Sequence, residues 1–523
     1  MHTYHTILIG GGINNLVCAS LLAKAGKKVL ILERSEFLGG CIRSEEIEGC
    51  VVDTLSTAYP LFVTSPAYGE LKTDLDAEGI EFCVTETPTG TILSNKNYAL
   101  IKTDREKNRT DYNALNTGDG DRFREQISFI EQNADFLFSF LGKELVTFSM
   151  AKYVAKYVWK TGIKDTFDKA GVFVSNVRND LPKHFYGNEL QAVLAPWVLH
   201  TGLSPDSPFS ATMAKIVAFT IELVGLPMVK GGSYKIVEAF KNIIEKKGGE
   251  IKLGQDVEEI LVDAKGVVLG VKTNANTFRA KNVVASVTPT QLYGRLLKTS
   301  NKIPKKVTKD AGNYKYGMGN MQIHLVMNEA PKWYDENLSK VTYVHLSDGI
   351  DDVSRACTQA KNQELPEKGT IAIGQPTATD PSRAKEGKHV LWIQLPECPN
   401  FPKADASKEL SYLCKGEWTE ELREAYADKI INRMGDYISN IKSATIARKV
   451  ISPKDLSQLN INLVNGDPYG GLCEIEQFLV FRPLKSTKNH TTPIKNLYHS
   501  GASTHPGPGL GGGSGFLIAQ HLK

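Results

Sequence analysis

The sequence has no strong excess of charge and no long apolar run. Its 62 lysine and arginine residues nearly balance 58 aspartate and glutamate residues, which leaves a net charge of +4. Bulk charge therefore gives no reason to expect a nucleic-acid partner. No stretch reaches the roughly eighteen uninterrupted apolar residues that span a bilayer, because Glu222 and Pro227 interrupt the best candidate, 216–229. Any contact with a membrane would come from one side.

Cysteine is also scarce. Eight cysteines are scattered over 523 residues, which fits neither a disulfide framework nor a paired C-x-x-C metal site. The first strand-like run begins at Tyr4, which leaves no room ahead of it for a signal segment. We therefore expect a cytoplasmic protein without a metal. A composition of 41% apolar and 23% charged residues is that of ordinary globular domains, and the length allows two or three of them.

A nucleotide-binding pattern opens the chain. The apolar run 6–9 predicts a buried strand, the triplet Gly10 to Gly12 follows at once, and helical spacing from Asn15 ends at Gly26 before a second strand over 29–32. Gly10 and Gly12 allow the backbone to approach a pyrophosphate, while Asn15 stands where the third glycine is usual. Glu33 ends the second strand, where a carboxylate accepts the ribose hydroxyls. The candidate nucleotide-binding residues of this unit are Gly10, Gly12, Ile13, Asn14, Asn15 and Glu33.

The residues after the second strand favour FAD over NAD. Glu33 to Gly40 resembles the E-R-x4-G-G element of flavoproteins such as amine oxidases and phytoene desaturases, and Asp53-x-x-Ser56 resembles the D-x-x-S that follows it there. A glycine pair lets the chain bend back under the diphosphate, and arginines bring positive charge to it. The further candidates for cofactor binding are Arg34, Gly39, Gly40, Cys41, Arg43 and Ser56.

The C-terminal segment carries a second glycine-dense turn. The run G-A-x-T-H-P-G-x-G-x-x-G from Gly501 to Gly512 closely resembles the C-terminal signature of the phytoene desaturase-like flavoproteins. That group contains carotenoid desaturases and ketolases, retinol saturase and the pyridine nucleotide-disulfide oxidoreductase domain 2 proteins. Phe481-Arg482-Pro483 and Asn465-Gly466-Asp467 resemble its ketolase-type branch. The backbone of such a turn can reach the ribityl chain and the N1–C2=O edge of a flavin. The candidates here are Gly501, Ala502, Gly509, Gly511 and Gly512.

The resemblance implies an α/β fold, with a Rossmann-type FAD-binding domain of the glutathione reductase/amine oxidase kind and an inserted mixed α+β substrate domain. Residues 1–69, 229–287 and 448–523 would form the FAD domain, 70–228 the helical part of the substrate domain and 288–447 its sheet part. In such proteins Val257 stands where backbone atoms hold the adenine, although a core valine explains it as well.

Two helical segments are predicted in the middle of the chain. Apolar residues from Phe123 to Leu141 step by three and four and predict one helix with a buried face. Between Phe148 and Lys164 lysines recur every four residues beside aromatic residues. This helix would either dock on anionic lipid, at the periphery of the inner membrane, or present a solvated lysine face above a packed side.

The resemblance further implies an FAD-dependent oxidoreductase that acts on C–H or C=C bonds of a lipophilic, carotenoid-like substrate held in an apolar tunnel, by hydride transfer to or from flavin N5. The catalytic candidates are His505, Arg482 and His200. Each has a structural alternative: His505 orders its own turn, Arg482 pairs with a carboxylate, and His200 caps the helix containing Trp197.

The sequence leaves other functions open. No second strand–GxGxxG–helix unit occurs between Ser56 and Leu497, so we expect a diffusible electron acceptor, oxygen or a quinone, in place of a bound NAD(P)H. A flavin amine oxidase, a saturase that runs the hydride the other way and a non-catalytic FAD-binding assembly factor are the alternatives. Substrate and oligomeric state do not follow from the residues.

Overall fold

A parallel sheet of five short strands joins the two ends of the chain. The computed structural model describes residues 3–523, and the five strands lie in the order Glu250–Lys252, Val29–Leu32, Tyr4–Ile9, Thr277–Ser286 and Leu497–Ser500. The strands Tyr4–Ile9 and Val29–Leu32 are apolar and almost wholly buried, as in sheets covered on both faces. An antiparallel meander, Val257–Val262 and Val268–Thr273, extends from the first half of Thr277–Ser286. The predicted Rossmann-type fold is confirmed.

Four helices cover one face of this sheet. Ile13–Lys24 begins directly after Gly12, two residues before the predicted start. Tyr234–Lys246 turns Ile236, Phe240 and Ile243 inward at helical spacing, and Pro66–Ala77 and Gly513–Leu522 complete the layer. The meander, the turn Leu292–Leu296 and the helix Lys305–Gly312 cover the opposite face. The start of Ile13–Lys24 is thereby held at the carboxyl edge of the strands.

A second sheet has seven strands. They lie in the order Thr445–Ile451, Gly319–Met327, His389–Cys398, Ile371–Gly374, Tyr343–Leu346, Thr89–Ile92 and Tyr98–Ile101. All neighbours are antiparallel except Tyr343–Leu346 and Thr89–Ile92. One face packs with the helix Glu420–Met434 into a large apolar core. Two of these strands come from the range 70–228 that the sequence predicts as helical, and the proposed domain boundaries stay a prediction.

A layer of helices covers the other face of this sheet, with Phe148–Thr161 and Ile163–Phe173 packed on other helices of the layer. They are Arg105–Leu115, Asp119–Gln132, Ala134–Gly142, Phe148–Thr161, Ile163–Phe173, Val177–His184, Asn188–Leu194, the 3₁₀ helix Ala195–Thr201 and Ser210–Val224. The single helix predicted from Phe123 to Leu141 is wrong. It breaks at Asn133, whose side-chain amide donates to the carbonyl of Phe129 and competes with the main chain. The helix predicted from Phe148 to Lys164 is also interrupted, at Gly162, which has φ +89°. Lys164 therefore lies on the helix Ile163–Phe173, whereas Lys152, Lys156 and Lys160 lie on Phe148–Thr161.

The remaining elements are short or peripheral. They are the hairpin Ser44–Ile47 and Cys50–Asp53, the strand pairs Phe82–Cys83 with Met228–Val229 and Glu364–Leu365 with Ala404–Asp405, and the helices Pro60–Val63, Pro289–Gln291, Ile350–Lys361, Pro376–Thr379, Ile441–Ala444 and Pro453–Leu459. Short 3₁₀ turns are Glu336–Lys340, Pro381–Arg383, Val464–Gly466, Ile475–Gln477 and Leu479–Phe481.

A buried ion network joins the segment between the strands Ile371–Gly374 and His389–Cys398 to the hairpin strand Cys50–Asp53 and to the strand Met228–Val229. Arg383, 1% exposed, donates to Asp53 at 2.6 Å, to Asp380 at 3.2 Å and to the carbonyl of Val229 at 2.7 Å. Asp53 also accepts from the backbone and hydroxyl of Ser233. Because both carboxylates are paired and hydrogen-bonded, the charges are compensated within the protein.

Within residues 3–523, every helix is too short or too polar to traverse a membrane. All eight cysteines carry free thiols, and the described part of the chain contains no cluster of histidine, cysteine or acidic side chains that could hold a metal ion.

Candidate active site

One cavity of about 940 Å³ connects the two sheets. Its nucleotide half is lined by the glycine turns at 10–12, 39–40 and 501–511, together with Glu33 and Val257. Its sheet half is lined by side chains of the second sheet and of the helices against it, among them Trp197, His200 and Gln322. Turns from opposite ends of the sequence thus face the same space.

Most of the predicted site residues line this cavity. They are Gly10, Gly12, Ile13, Asn14, Glu33, Arg34, Gly39, Gly40, Cys41, Arg43, Ser56, Val257, Gly501, Ala502, Gly509 and Gly511 for the cofactor, and His200 among the catalytic candidates. Four others lie behind its wall: Asn15, Gly512, Arg482 and His505.

The first glycine turn leaves room for a ligand. Gly10 has φ +90°, and a Cβ there would lie 3.3 Å from the carbonyl oxygen of Ser286. Gly12 has ordinary extended angles, and a Cβ built on it meets no protein atom within 4 Å. Its missing side chain therefore corresponds to cavity space at the positive end of the helix Ile13–Lys24.

The carboxylate of Glu33 is held firmly at the end of its strand. One oxygen accepts from the backbone N–H of Gly11 at 2.7 Å, and the other accepts from the backbone N–H of Ser35 at 2.9 Å. Nearby, Arg295 donates to the carbonyl of Val257 at 3.0 Å. Arg43 lies over the ring of Phe37, with its guanidinium carbon 4.4 Å from the ring centroid.

Asn15 supports the turn from behind. Its side-chain amide donates to the carbonyls of Ile9 and Gly10, both at 2.9 Å, and the residue is fully buried. Asparagine at the position of the third glycine thus ties the helix to the strand that precedes it. These contacts give Asn15 a structural role in the turn, and its predicted contact with the cofactor stays a prediction.

The C-terminal turn is fixed against the N-terminal helix. A Cβ on Gly515 would lie 1.7 Å from the carbonyl oxygen of Asn14, so only glycine permits this approach. The hydroxyl of Ser514 accepts from the backbone N–H of Gly501 at 3.0 Å. These contacts bring the start of the helix Gly513–Leu522 to the cavity, where Gly513 forms part of the lining.

Arg482 shapes the wall of the cavity from behind. Its guanidinium donates to the main-chain carbonyl of Ala502 at 2.8 and 3.0 Å and to that of Tyr469 at 2.8 Å. The Asp467 carboxylate accepts hydrogen bonds from the backbone N–H groups of Gly317, Tyr469 and Gly471. Burial raises the pKa of this carboxyl. Neither of these conformation-setting side chains lines the cavity. The sequence analysis considered a carboxylate partner for Arg482, but the guanidinium donates to main-chain carbonyls.

His505 is buried away from the cavity lining. Both nitrogens of its ring lack a hydrogen-bond partner in the described chain, and burial lowers the pKa of the imidazole to about 3. Its carbonyl accepts from Nε2 of His490 at 2.8 Å. The ring therefore makes no hydrogen bond that would order its own turn, within residues 3–523.

His200 is the catalytic candidate that faces the cavity. Its Nε2 lies 2.9 Å from Nε2 of His345, and its ring centroid lies 4.8 Å from that of Trp197. Desolvation lowers its pKa to about 4, so the imidazole is neutral at pH 7. The sequence analysis gave helix capping as the structural alternative for His200, but its ring contacts His345.

Apolar and aromatic side chains make up most of the sheet half. They include Phe138, Leu141, Trp197, Met213, Ile216, Val217, Ile221, Leu226, Tyr343, Trp392, Tyr469 and Phe478. Among the described lining residues, His200 is the sole histidine, and the charged ones (Glu33, Arg34, Arg43, Asp256 and Arg295) accompany the nucleotide half. Sequence reasoning missed Tyr343, Trp392, Gln322 and Gln394, because alternation along a strand does not reveal which face borders a cavity.

Comparison with known proteins identifies the family. Residues 16–509 match the flavin containing amine oxidoreductases. The chain belongs to this family.

Relatives of this flavoprotein match it over nearly its whole length. A limonene dehydrogenase subunit of Castellaniella defragrans is 23% identical, over 98% of this chain and 93% of the relative. The 4,4'-diapophytoene desaturase of Methylomonas sp is 23% identical, over 97% and 93%. Pyridine nucleotide-disulfide oxidoreductase domain-containing protein 2 of Mus musculus is 22% identical, over 98% and 92%. These relatives confirm the resemblance to the phytoene desaturase-like group.

Solved structures share the fold. Putrescine oxidase bound to putrescine has a TM-score of 0.60 at 12% identity, with 99% of this chain and 98% of that chain covered. An oxidoreductase from Methanosarcina mazei has a TM-score of 0.59 at 15% identity, over 99% and 100%. At such identities the likeness concerns the fold alone.

The nucleotide half fits FAD, the cofactor of this family. The open space at Gly12, the strand-end carboxylate of Glu33 and the start of two helices match the pyrophosphate and ribose groups of a dinucleotide. Gly501 and Ala502 would face the flavin end. The protein is thus an FAD-dependent oxidoreductase.

Proposed function

We propose that this flavoenzyme oxidises or reduces C–H or C=C bonds of a lipophilic, carotenoid-like substrate, by hydride transfer to or from flavin N5. The observation that carries this proposal is the continuity of the cavity, which leads from the nucleotide half into a sheet half lined by apolar and aromatic side chains. Bound FAD supplies the acceptor or donor of the hydride. The chain has to orient an apolar molecule beside it and keep water out.

The sheet half suits that task. The ring centroid of Tyr343 lies 5.7 Å from that of Trp197 and 5.6 Å from that of Trp392, and the three rings offer flat surfaces to a conjugated chain. His200 is neutral at pH 7 because desolvation lowers its pKa to about 4. An uncharged substrate therefore meets no uncompensated charge in this half. Relatives named for limonene and diapophytoene, both apolar hydrocarbons, support the same substrate class.

An amine substrate is the second candidate, favoured by the amine oxidases among the structural neighbours. An ammonium group can bind in an aromatic cage. However, among residues 3–523 no carboxylate lines the sheet half, so an ammonium there would lack an anionic partner. The direction of electron flow is a separate question, since a saturase would use the same cavity.

The test is anaerobic mixing of the oxidised holoenzyme with polyenes and, separately, with amines. We expect a carotenoid-like polyene to bleach the flavin absorbance and a diamine to leave it unchanged. Bleaching by amines alone would overturn the proposal. Photoreduced enzyme mixed with the desaturated product tests the saturase direction. Reoxidation by oxygen or by a quinone identifies the diffusible acceptor that we infer.

We also propose that the substrate reaches the cavity from an anionic lipid surface. The helix Phe148–Thr161, called the lysine-rich helix below, carries Phe148 and Trp159, which are each 87% exposed. On the next helix, Ile163 and Phe167 are also exposed. Lys152, Lys156, Lys160 and Lys164 are exposed beside them. Exposed apolar side chains with flanking lysines suit the interface of an anionic bilayer.

The helix Phe148–Thr161 packs against a helix that borders the cavity. Phe136 stacks on Tyr157 of the lysine-rich helix, with ring centroids 4.3 Å apart. Phe138, on the same helix as Phe136, is exposed and also lines the cavity, as does Leu61. These contacts support the proposal that a molecule dissolved in lipid enters the cavity near Phe138 and Leu61.

Vesicle sedimentation tests the lipid contact. We expect the holoenzyme to sediment with phosphatidylglycerol vesicles and to remain free with phosphatidylcholine vesicles. The double variant Phe148→Ser/Trp159→Ser should lose most of this binding, whereas Tyr412→Ser, which removes an exposed aromatic ring elsewhere, should retain it. Equal sedimentation of all three proteins would contradict the proposal.

A further inference from the structure

Arg482 is a buried cation whose partners are all uncharged. The residue is 2% exposed, and its guanidinium makes six hydrogen bonds within the described chain. Five of them go to main-chain carbonyls, and one goes to the sulfur of Cys473. The buried acid of the same neighbourhood, Asp467, directs its carboxylate to three backbone N–H groups. Dipoles alone therefore balance the guanidinium, which is a costly way to bury a charge.

The other buried cations of the chain are compensated by acids. Among the described lysines and arginines, three are buried: Lys215, Arg383 and Arg482. Lys215 pairs with Asp180 at 2.5 Å, and Arg383 donates to Asp53 at 2.6 Å. Arg482 is thus the exception, and its charge is available to a negative group that the protein binds.

The guanidinium fixes the direction of one peptide group in the C-terminal turn. Its Nε and Nη2 atoms both donate to the carbonyl of Ala502, at 3.0 and 2.8 Å. The peptide bond between Ala502 and Ser503 is trans, so the N–H of Ser503 points opposite to that carbonyl. Ala502 and Ser503 line the cavity, whereas Arg482 lies behind its wall. The N–H of Ser503 therefore points away from Arg482, toward the cavity, and it makes no hydrogen bond within the described chain.

We propose that Arg482 is a positioning residue for bound FAD. It turns the N–H of Ser503 toward the N1–C2=O edge of the flavin and places a positive charge behind that N–H. The glycine turn that begins at Gly501 would face the flavin end of the cofactor. An amide whose carbonyl accepts from a cation is polarised and becomes a stronger donor at its own N–H. The inference rests on the cofactor and is independent of the substrate class.

The effect concerns the chemistry at N5 and not the binding of the substrate. Hydride transfer to N5 of oxidised FAD delivers two electrons and leaves one negative charge, which N1 and the C2 carbonyl share. A positive charge fixed behind the turn stabilises this charged product more than the neutral oxidised ring. Loss of the charge should therefore make the flavin a weaker hydride acceptor. The surface that the substrate meets is unaltered, because Arg482 does not line the cavity.

Sulfite tests this inference without any substrate. Its sulfur lone pair adds to N5 of the oxidised flavin and leaves the same negative charge at N1 and the C2 carbonyl, so the loss of flavin absorbance on titration gives a Kd. Arg482→Gln keeps hydrogen-bond donors but removes the charge. We expect it to weaken sulfite binding by about tenfold and to lower the two-electron reduction potential by about 30 mV. Arg482→Lys keeps the charge and should stay within about threefold of the unmodified Kd.

The matched control is Arg433→Gln. Arg433 also donates to a main-chain carbonyl, that of Gly369 at 2.6 Å, but it lies on the helix Glu420–Met434, across the apolar core of the second sheet. This variant should change neither the sulfite affinity nor the reduction potential. Flavin content and melting temperature are measured on the same samples, so that a loss of folding is distinguished from a loss of charge.

The unmodified holoenzyme decides the question if Arg482→Gln does not fold or loses its flavin. The inference requires that its photoreduced flavin remain anionic at pH 6, which the absorbance spectrum reports, and a neutral reduced flavin would overturn it. Equal sulfite affinity in Arg482→Gln and the unmodified protein, or an equal loss in Arg482→Gln and Arg482→Lys, would assign Arg482 to structure alone. None of these outcomes bears on the lipophilic substrate, which the polyene experiment tests separately.

Discussion

The two halves of the cavity recognise their ligands with different parts of the chain. In the nucleotide half, the groups that would hold FAD are mostly backbone N–H groups, helix starts and glycine-sized gaps, and the Glu33 carboxylate is satisfied at both oxygens. In the sheet half, side chains from separate strands form the surface, and Gln322 and Trp197 keep unpartnered polar atoms. A site built from backbone leaves a trace in glycine spacing, whereas a site built from side chains on distant strands does not.

The largest effect should come from a side chain that occupies the space for the cofactor in the nucleotide half. Gly12→Leu should yield folded protein without flavin, because φ is −73° and its side chain would extend into open cavity space. The measurement is the ratio of flavin to protein absorbance, with circular dichroism to verify folding. Gly69→Ala, in a helix with open space at its Cβ, is the control and should retain the flavin. A yellow Gly12→Leu protein would contradict the cofactor assignment.

Removing the buried ion network around Arg383 should produce the next largest effect. Arg383→Met leaves Asp53 and Asp380 buried without their cation, which should lower the free energy of unfolding by about 3–5 kcal/mol. Denaturant unfolding measures this loss. Lys72→Met breaks an exposed pair with Asp76 and should cost less than about 1 kcal/mol. Equal small losses in both variants would show that the fold does not depend on this network.

Acid should weaken both regions through buried histidines. Burial lowers the pKa of His324 and His499 to about 4, that of His505 to about 3 and that of His345 well below its usual range. The unfolded chain binds protons near pH 6.5 and the folded chain does not, so stability is lost as pH falls below about 6.5. Each histidine contributes up to about 1.4 kcal/mol per pH unit.

Buried acids act in the opposite direction. Burial raises the pKa of Glu397 to about 7 and raises the pKa values of Asp467 and Glu222 above their usual range, so the stability these groups contribute is lost as pH rises. We expect the buried histidines, which include His200 with a pKa of about 4, to outweigh them. Melting temperatures at pH 7, 6 and 5 measure the net slope. His324→Gln/His345→Gln should flatten it more than His499→Gln, while the surface variant His521→Gln should not change it. A melting temperature independent of pH would contradict this account.

The smallest effect sharpens the role of Asn15. Asn15→Ala removes the two hydrogen bonds to the carbonyls of Ile9 and Gly10, and we expect a loss of about 1–3 kcal/mol of unfolding free energy with the flavin retained. Thermal unfolding and flavin content are measured on the same sample. Loss of flavin from a protein of unchanged stability would instead show that Asn15 contacts the cofactor, as the sequence pattern predicts.

Local patterns predicted the fold class well because their physical causes are local. The unit from Tyr4 to Leu32 needs a buried strand, a tight turn and a helix in succession, and each has a residue signature. The helix predicted through Leu141 was wrong because the side chain of Asn133 competes with the main chain, which apolar spacing does not register. The catalytic candidates were chosen by residue type, and residue type does not reveal whether a side chain lines the cavity or lies behind its lining.

The sequence by itself determined the family, the cofactor and the two glycine turns that face each other, because glycine is required wherever a ligand or another helix approaches the backbone. Only the tertiary structure decided that Arg482 and His505 lie behind the cavity wall and that Trp197, His200 and Gln322 line it. Those positions depend on pairing between strands far apart in the chain, and long-range pairing has no signature within any single segment.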